Sequence, residues 1–180
     1  LLETKYTALT NGTERHAFLS EHGYGGGRFP SRHGYQHVGR VVSTGREVTR
    51  FEPGDWLFYG QYVGHNGWNI INEDALLIKL PVGIDYRYCA LFGVAGVALR
   101  SVRRMGVSQD DNVWVVGQGP IGHFLAQAAR STGAKVTVSD MIDRRLDAAK
   151  ECGAHIVLKA NSQKAPEIIK EGRPYNYIYD

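Results

Sequence analysis

The clearest chemistry in this sequence lies in three glycines and one later carboxylate. Gly117, Gly119 and Gly122 have the spacing G-x-G-x-x-G, and Asp140 follows them. In such a loop the first glycine allows a tight turn, the second lets the backbone approach a pyrophosphate, and the third lets helix and strand pack closely. A helix N-terminus offers free N–H groups and a macrodipole that favour the phosphates, and a carboxylate can accept hydrogen bonds from the ribose. These residue types predict a dinucleotide-binding site.

The flanking sequence supplies the elements that must position these groups. Val113–Val116 has the β-branched and aromatic side chains of a buried parallel strand. Pro120 suits the first turn of a helix, where no backbone N–H is needed, and Ile121 begins an apolar stripe at helical spacing. Lys135–Asp140 follows as a second strand. An isolated glycine triplet also occurs in ordinary tight turns, but strand, glycines, helix, strand and acid in this order strongly indicate dinucleotide binding.

We expect the cofactor to be NAD(H). Asp140 ends the second predicted strand, and a carboxylate there would repel the 2′-phosphate of NADP(H). The residues that we expect to bind the cofactor are Gly117, Gly119, Pro120, Ile121, Gly122 and Asp140.

The composition and net charge of the sequence exclude several classes of function. Hydrophobic residues make up 43% and charged residues 22% of the 180 residues, as in ordinary globular proteins. The net charge of +3 is too small to indicate nucleic-acid binding. The densest basic cluster, formed by Arg100, Arg103 and Arg104, is interpreted as a solvated helix face. No apolar run is long enough for a membrane span, and the N-terminus lacks the layout of a signal peptide.

The two cysteines, Cys89 and Cys152, are far apart in the sequence. Neither has a Cys or His partner at a metal-ligand spacing, and two cysteines make a poor disulfide framework. We interpret both as buried, reduced thiols and expect a cytoplasmic protein. The partners that we expect are a small-molecule substrate and further copies of the chain in a homo-oligomer, with neither nucleic acid nor membrane among them.

Two domains are predicted from the change of pattern along the chain. Residues 1–88 contain short β-prone runs separated by Gly, Pro, Asn and Asp, which predicts an irregular, mostly antiparallel β domain of the barrel type. Gly23–Gly27 has no preceding strand and is interpreted as a mobile loop. A helical pattern over Asp85–Arg104 marks the passage between domains. Residues 89–180 then alternate strands and helices, which predicts a parallel sheet with right-handed crossovers.

The second domain has room for about four strands, although a doubly wound dinucleotide fold has two halves of three. We predict the strand order 3-2-1-4, with Tyr175–Asp180 as the fourth strand. The missing half has two explanations: the chain is a segment of a longer enzyme, which we favour, or it is a split protein completed by a partner. The outer edge of the fourth strand would carry unpaired N–H and C=O groups. We therefore expect the chain alone to aggregate, or to pair this edge with another chain or with segments outside the sequence.

Segments of the first domain resemble a known family. Gly34–Gly39, followed by Val41–Gly45, is similar to the pattern G-H-E-x-x-G-x-V-x-x-x-G, and Val48–Asp55 is similar to the run V-x-x-F-x-x-G-D. Both patterns belong to the medium-chain dehydrogenase/reductase superfamily, the alcohol-dehydrogenase-like enzymes. The resemblance implies an α/β protein with a GroES-like β-barrel domain, incomplete at its N-terminus, followed by a truncated Rossmann domain with a doubly wound parallel sheet. It also implies an oxidoreductase.

The departures from this family concern its catalytic zinc. Zinc-dependent members supply Cys, His and Cys to the metal, and Asn11, Tyr35 and Phe92 occupy those positions here. Gln36 replaces the Glu beside the His, and the lobe of four cysteines that holds a structural zinc is absent from the sequence. Because the thiolates that zinc selects are missing, we expect no metal. Thr10–Arg15 resembles the S-x-G-T-E segment of a metal-free or metal-poor branch that includes bacteriochlorophyllide a dehydrogenase-like oxidoreductases.

Without zinc, oxidation of an alcohol by hydride transfer still needs a base for the hydroxyl proton or a group that stabilises the alkoxide. The resemblance implies that Thr13 contacts the substrate oxygen and that His16 ends a proton relay. The alternatives are a turn residue bonded to local backbone for Thr13 and a surface imidazole for His16. Tyr35 has a phenolic O–H that can donate to a carbonyl oxygen, or it simply fills the vacant metal site. His37 is interpreted as a structural hydrogen-bonding residue, and His65 is given no role.

Three functions are compatible with the sequence. The first, which we favour, is an NAD(H)-dependent oxidoreductase that acts on an alcohol/carbonyl pair without catalytic zinc. The second is a quinone or enone reductase, whose conjugated substrate delocalises negative charge by itself, although such enzymes usually need NADPH. The third is a nucleotide-binding protein that has lost turnover. Loss of the metal ligands supports this third function, whereas Thr13, His16 and the intact glycines oppose it.

Overall fold

The computed structural model describes residues 1–19, 30, 32–172 and 174–180. Two compact units, Leu1–Gly93 and Val94–Asp180, make up the chain. The domain boundary predicted after residue 88 falls inside a short helix at Tyr86–Cys89, which therefore belongs wholly to the first unit. The predicted mobile loop at Gly23–Gly27 lies outside the described residues.

The first unit is built on one antiparallel sheet. Its strands are β1 (Leu2–Thr7), β2 (His37–Val41), β3 (Trp56–Tyr59), β4 (Trp68–Asn69) and β5 (Leu77–Lys79). Its helices are α1 (Asn11–Leu19), α2 (Tyr86–Cys89) and the start of α3 (Phe92–Met105), which continues into the second unit. The strands lie in the order β4-β1-β2-β3-β5. Each overlaps a β-prone run of the sequence, so the antiparallel β character predicted for this unit is confirmed.

Strand β3 joins the two hydrophobic clusters of this unit. Phe58 packs in one cluster with Val38, and Leu57 and Tyr59 pack in the other with Leu2. Successive side chains of a strand point to opposite faces, so β3 is buried on both sides. This explains why its sequence is a continuous apolar run and not an alternating one.

Helix α1 was not predicted from the sequence. It begins directly after Thr10, and the N–H of Glu14 donates to the carbonyl oxygen of Thr10 at 3.1 Å. The Glu14 carboxylate turns back and accepts a hydrogen bond from the Thr10 N–H, which satisfies a donor at the helix start as a capping box does. Asn11 and Gly12 are weak helix formers, so the sequence pattern did not indicate a helix here.

The second unit contains a parallel sheet. Its strands are β6 (Asn112–Val116), β7 (Lys135–Asp140), β8 (Ile156–Lys159) and β9 (Tyr177–Tyr179). Besides most of α3, its helices are α4 (Pro120–Ser131), α5 (Asp143–Glu151) and α6 (Ala165–Glu171). The strand order β8-β7-β6-β9 is the predicted order 3-2-1-4, and every pairing is parallel. The predicted α/β fold class is thus confirmed.

The core of the second unit is centred on β6 and β7. Val113, Val115, Val136 and Val138 are fully buried and pack with Ala129 of α4. Such β-branched side chains suit parallel strands that are covered on both faces. Among the described residues, none of the helices combines the length and the apolar character that a membrane span requires.

The structure corrects the expectation for one cysteine and shows which side chains of the outer strand are exposed. Cys152 is exposed, so only Cys89 is the buried thiol that was expected of both, and burial raises the pKa of Cys89. At the outer strand β9, Tyr177 and Tyr179 pack against the core, and Ile178 is the exposed side chain. The apolar side chain that this strand exposes is therefore an isoleucine. Pairing of this edge stays a prediction.

Candidate functional site

The glycine loop joins β6 to α4, and each of its glycines has a different backbone environment. Gly117 has a φ of +79°, a conformation that other residues rarely adopt. No atom of the described residues lies within 4 Å of the position that a Cβ on Gly119 would take. A Cβ on Gly122 would lie 1.9 Å from the carbonyl oxygen of Gly117. The loop therefore has the tight turn, the open approach and the close helix packing that its spacing predicts.

The start of α4 is suited to an anion. Gly119 is the N-cap and Pro120 the first helical residue, so a glycine without a side chain stands where a capping group usually binds the first N–H groups. Ile121 follows and is 51% exposed. The free N–H groups and the helix dipole together favour a phosphate at this end of the helix.

Asp140 ends β7, and its carboxylate fixes the glycine loop. Its Oδ2 accepts a hydrogen bond from the N–H of Gln118 at 2.7 Å, and its Oδ1 accepts one from the N–H of Ile142 at 2.8 Å. Nη1 of Arg145 lies 3.4 Å from Oδ2. Burial alone would raise the pKa of Asp140, but these hydrogen bonds outweigh burial and hold the pKa below its ordinary value. A carboxylate has about four acceptor positions, so capacity remains for a ribose hydroxyl.

Replacement of Asp140 by asparagine is expected to lower the free energy of unfolding by about 1–3 kcal/mol near neutral pH. An amide has one oxygen, so its NH2 group would face the N–H of either Gln118 or Ile142. Because the pKa of Asp140 is lowered in the folded state, its contribution is complete above the ordinary value of about 3.9 and is lost as the pH falls through the folded value. Urea unfolding of native protein and Asp140→Asn over this pH range measures the difference. This role of Asp140 would be contradicted if the two free energies of unfolding differed as much in acid as at neutral pH.

In the first unit, a chain of hydrogen bonds links Tyr35 to an exposed histidine. The Tyr35 hydroxyl lies 2.8 Å from Oγ1 of Thr10, and that hydroxyl donates to Oε2 of Glu14 at 3.3 Å. Oε1 of Glu14 lies 2.8 Å from Nε2 of His65. The Glu14 side chain is 11% exposed and that of His65 30%. We name these four residues the Tyr35–His65 chain; it runs from a partly buried phenol to an imidazole that water reaches.

The two ends of the Tyr35–His65 chain are positioned by backbone contacts. The N–H of Gly64 donates to the carbonyl oxygen of Gly34 at 3.1 Å, and the N–H of His65 donates to that of His33 at 2.9 Å. The buried His37 adds a hydrogen bond from Nε2 to the carbonyl oxygen of Gly64 at 2.9 Å. Burial lowers the pKa of His37 more than this bond raises it, so the ring is neutral near pH 7. His37 therefore has the structural role that was expected of it.

The residues predicted to be catalytic are only partly brought together. Tyr35 bonds to Thr10, whereas Thr13 and His16 lie three residues apart on α1 and are partly buried. The roles that the family resemblance implies for Thr13 and His16 stay predictions. Sequence reasoning missed Thr10, Glu14 and His65 as possible site residues. Thr10 and Glu14 have the i, i+4 spacing of a helical contact, but this signal is informative only once α1 is known.

Zinc-dependent members of the family that this sequence resembles bind the metal at three positions. The residues at those positions in this chain do not suit zinc. The Tyr35 phenol is engaged with Thr10, Asn11 offers an amide at the start of α1, and Phe92 has no donor atom. The Phe92 ring instead packs 5.9 Å from that of Phe58. Zinc in proteins selects thiolate, imidazole and carboxylate groups. In the part of the chain that the structure describes, no three His, Cys, Asp or Glu side chains are grouped as a metal site would require.

Comparison with known sequences identifies related dehydrogenases. A family model described as zinc-binding dehydrogenase matches residues 120–180. Sorbitol dehydrogenase from Bos taurus is 37% identical over 94 residues, which are 52% of this chain and 26% of that protein. L-threonine 3-dehydrogenase from Pseudoalteromonas translucida is 27% identical over 166 residues, with coverage of 77% of this chain and 48% of that protein. The chain therefore spans about half or less of the length of these curated relatives.

Solved structures share the fold over nearly the whole chain. A quinone oxidoreductase from Escherichia coli in complex with NADPH has a TM-score of 0.79 at 20% identity, covering 99% of this chain and 56% of that one. An alcohol dehydrogenase from Escherichia coli CFT073 in complex with NADH has a TM-score of 0.76 at 20% identity, covering 98% of this chain and 59% of that one. At these identities the likeness establishes the fold alone.

A GroES-like antiparallel unit followed in the chain by a Rossmann-type parallel unit defines a class of two-domain dinucleotide-binding proteins. The family model and the relatives that match in sequence are described as dehydrogenases. These matches support the medium-chain dehydrogenase/reductase superfamily, which the sequence resembles.

Proposed function

We propose that the chain is part of an NAD(H)-dependent oxidoreductase that transfers a hydride between nicotinamide and an alcohol/carbonyl pair without catalytic zinc. One observation carries the proposal: an intact glycine loop occurs together with Tyr35, whose hydroxyl is held by Thr10, at the position of a metal-binding histidine. The glycine loop is thus intact, whereas a phenol stands at the position of a metal ligand.

The glycine loop and its neighbours fit a dinucleotide. Gly117, Gly119 and Gly122 leave room for a pyrophosphate at the exposed start of α4, beside Pro120 and Ile121. Among the described residues, the buried Oε1 of Gln118 has no hydrogen-bond partner, and a ribose hydroxyl is the kind of donor that it needs. When bound, nicotinamide supplies the hydride acceptor or donor.

The preference for NAD(H) follows from the carboxylate of Asp140. It is ionised at neutral pH and would repel a 2′-phosphate. We expect NADH to bind at least about tenfold more tightly than NADPH, which corresponds to about 1.4 kcal/mol. Fluorescence titration of the purified protein with both nucleotides measures the ratio. Tighter binding of NADPH would contradict the assignment, and Arg145 beside Asp140 would then be the candidate phosphate-binding side chain.

On the substrate side, Tyr35 takes the place of the metal as the group that contacts the reacting oxygen. A phenol donates a hydrogen bond to a carbonyl oxygen, and its oxygen accepts one from an alcohol. Thr13 and His16 are proposed to assist at the same oxygen, in the roles that the superfamily resemblance implies. A positioned side chain of this kind contributes about 10²–10⁴-fold to proton-transfer steps.

The proposal is tested by turnover assays on the purified protein, with its zinc content measured in parallel. Sorbitol, L-threonine and a benzoquinone are the probes, because related proteins carry the corresponding names. Oxidation of an alcohol with NAD⁺ at substoichiometric zinc supports the proposal, whereas turnover that requires added zinc contradicts it. Turnover of the quinone alone would identify a quinone reductase. Nucleotide binding without turnover of any probe would identify a catalytically silent protein.

A further inference from the structure

We propose that the Tyr35–His65 chain is a proton relay that connects the substrate oxygen with solvent. The inference rests on the proposed function, since it concerns the proton that leaves an alcohol when its hydride is transferred. It gives Thr10, Glu14 and His65 a task in addition to the one proposed for Tyr35.

The hydrogen bonds from Tyr35 through Thr10 to Glu14 point in one direction, and the Glu14 carboxylate also accepts from Nε2 of His65. The Thr10 hydroxyl has one hydrogen and directs it to Oε2 of Glu14, so in the bond between Tyr35 and Thr10 the phenol is the donor. The lone pairs of the Tyr35 oxygen are then left for an alcohol hydroxyl. An alcohol at Tyr35 would thus begin a series of O–H bonds that leads to the Glu14 carboxylate.

This direction matches the proton transfers that alcohol oxidation requires. As the hydride leaves the carbon, the substrate O–H bond breaks and its proton passes to the Tyr35 oxygen. The former Tyr35 proton passes to Oγ1 of Thr10, and the Thr10 proton passes to Oε2 of Glu14. Once Glu14 is neutral, the exposed His65 ring moves its hydrogen from Nε2 to Nδ1 by exchange with water. Rotation of the carboxyl group then brings the Glu14 proton to Nε2, and the ring releases its Nδ1 proton to water. One hydride and one proton leave the alcohol for each carbonyl formed, and carbonyl reduction uses the same steps in reverse.

The relay is held by backbone groups, so it does not depend on flexible side chains alone. The Thr10 N–H donates to the same Glu14 oxygen that receives the hydroxyl proton. The His65 N–H is bonded to the carbonyl oxygen of His33, and the neutral His37 holds the adjacent Gly64. A proton-transfer group must be within hydrogen-bond reach of its partner. The contacts of Tyr35 with Thr10 and of Glu14 with His65 satisfy this condition at 2.8 Å, and Oγ1 of Thr10 lies 3.3 Å from Oε2 of Glu14.

The first test replaces Glu14 by glutamine. The amide keeps a carbonyl oxygen for Thr10 and an NH2 group for His65, but it cannot take up the relayed proton. We expect kcat for alcohol oxidation with NAD⁺ to fall about a hundredfold, with KM nearly unchanged. Glu73→Gln is the matched control, because Oε1 of Glu73 also accepts two hydrogen bonds in the same unit, from the N–H groups of Thr49 and Arg50. It should leave kcat unchanged.

The second test removes the far end of the relay without disturbing the buried part. His65→Ala should lower kcat about tenfold or more, and added imidazole should restore it because a free base can take the proton from Glu14. A merely structural role for His65 would give no rescue. Apart from turnover, the ring ¹⁵N NMR signals of His65 should move in Glu14→Gln and stay in place in Glu73→Gln, since Nε2 of His65 is hydrogen-bonded to Glu14.

The outcomes separate the relay from the activity on which it rests. Native protein that turns over no alcohol with NAD⁺ contradicts the proposed function and the relay together. Native activity that survives both Glu14→Gln and His65→Ala contradicts the relay alone. A lower kcat in Thr13→Val with native kcat in Glu14→Gln would also overturn the relay, because the proton would then leave by the route that the family resemblance implies. The relay is supported if kcat falls in Glu14→Gln and if added imidazole restores the kcat of His65→Ala.

Discussion

Replacement of Tyr35 by phenylalanine is expected to lower kcat by about a hundredfold or more, the usual contribution of a positioned proton donor or acceptor. The change removes only the hydroxyl that lies 2.8 Å from Oγ1 of Thr10 and leaves the ring that stacks on Tyr62. Loss of one hydrogen bond changes the free energy of unfolding by about 1 kcal/mol. Turnover should therefore fall far more than stability, and steady-state assays combined with urea unfolding measure both.

The matched control is Tyr62→Phe. Tyr62 is 81% exposed and its ring stacks on Tyr35 with 5.0 Å between the centroids, but its hydroxyl is not part of the Tyr35–His65 chain. Turnover of this variant should equal that of the native protein. Native turnover in Tyr35→Phe as well would mean that Tyr35 only fills the position of the metal-binding histidine. The proton chemistry would then return to Thr13 and His16.

The strands of the second unit and their order were predicted from the sequence, because the signals for them are local. The β-branched run at Val113–Val116, the glycine spacing and the strand at Lys135–Asp140 each lie within a few residues, and the strand order is the usual one of the doubly wound fold. The sequence could not show that Asp140 binds the N–H groups of Gln118 and Ile142. That contact joins the ends of two neighbouring strands, so it depends on the register between β6 and β7.

The antiparallel unit was predicted less well, because its functional contacts are distant in the sequence. Glu14 and His65 are 51 positions apart, and the pairing of Gly34 with Gly64 brings them together. No hydrophobic period or motif spacing reports such a contact. The helix that orients Glu14 was missed because Asn11 and Gly12 weaken its signal. The Tyr35–His65 chain therefore could be found only in the folded structure.

Replacement of Gly122 by alanine is expected to damage both the fold and the nucleotide site. A Cβ at this position would lie 1.9 Å from the carbonyl oxygen of Gly117 and 3.5 Å from Cγ1 of Val115. The first contact is with backbone, so the glycine loop and α4 must move apart. Overpacking of this kind costs about 3 kcal/mol, which lowers the Tm of a protein of this size by roughly 10 °C. Calorimetry or thermal unfolding followed by circular dichroism measures the loss.

Gly119→Ala separates the loss of fold from the loss of binding. No described atom lies within 4 Å of the Cβ that this variant would carry, and the φ of −67° at Gly119 suits alanine, so its Tm should match that of the native protein. The methyl group would nevertheless occupy the space through which a pyrophosphate approaches. Loss of one hydrogen bond to a charged phosphate costs about 1.5–3 kcal/mol, so the Kd for NADH should rise roughly tenfold to a hundredfold. Gly96→Ala in α3 is the control, because a Cβ at Gly96 also meets no described atom within 4 Å. We expect this variant to lower neither the Tm nor the affinity for NADH. Equal stability of Gly122→Ala and Gly119→Ala would contradict the close packing at Gly122, and native NADH affinity in Gly119→Ala would place the pyrophosphate elsewhere.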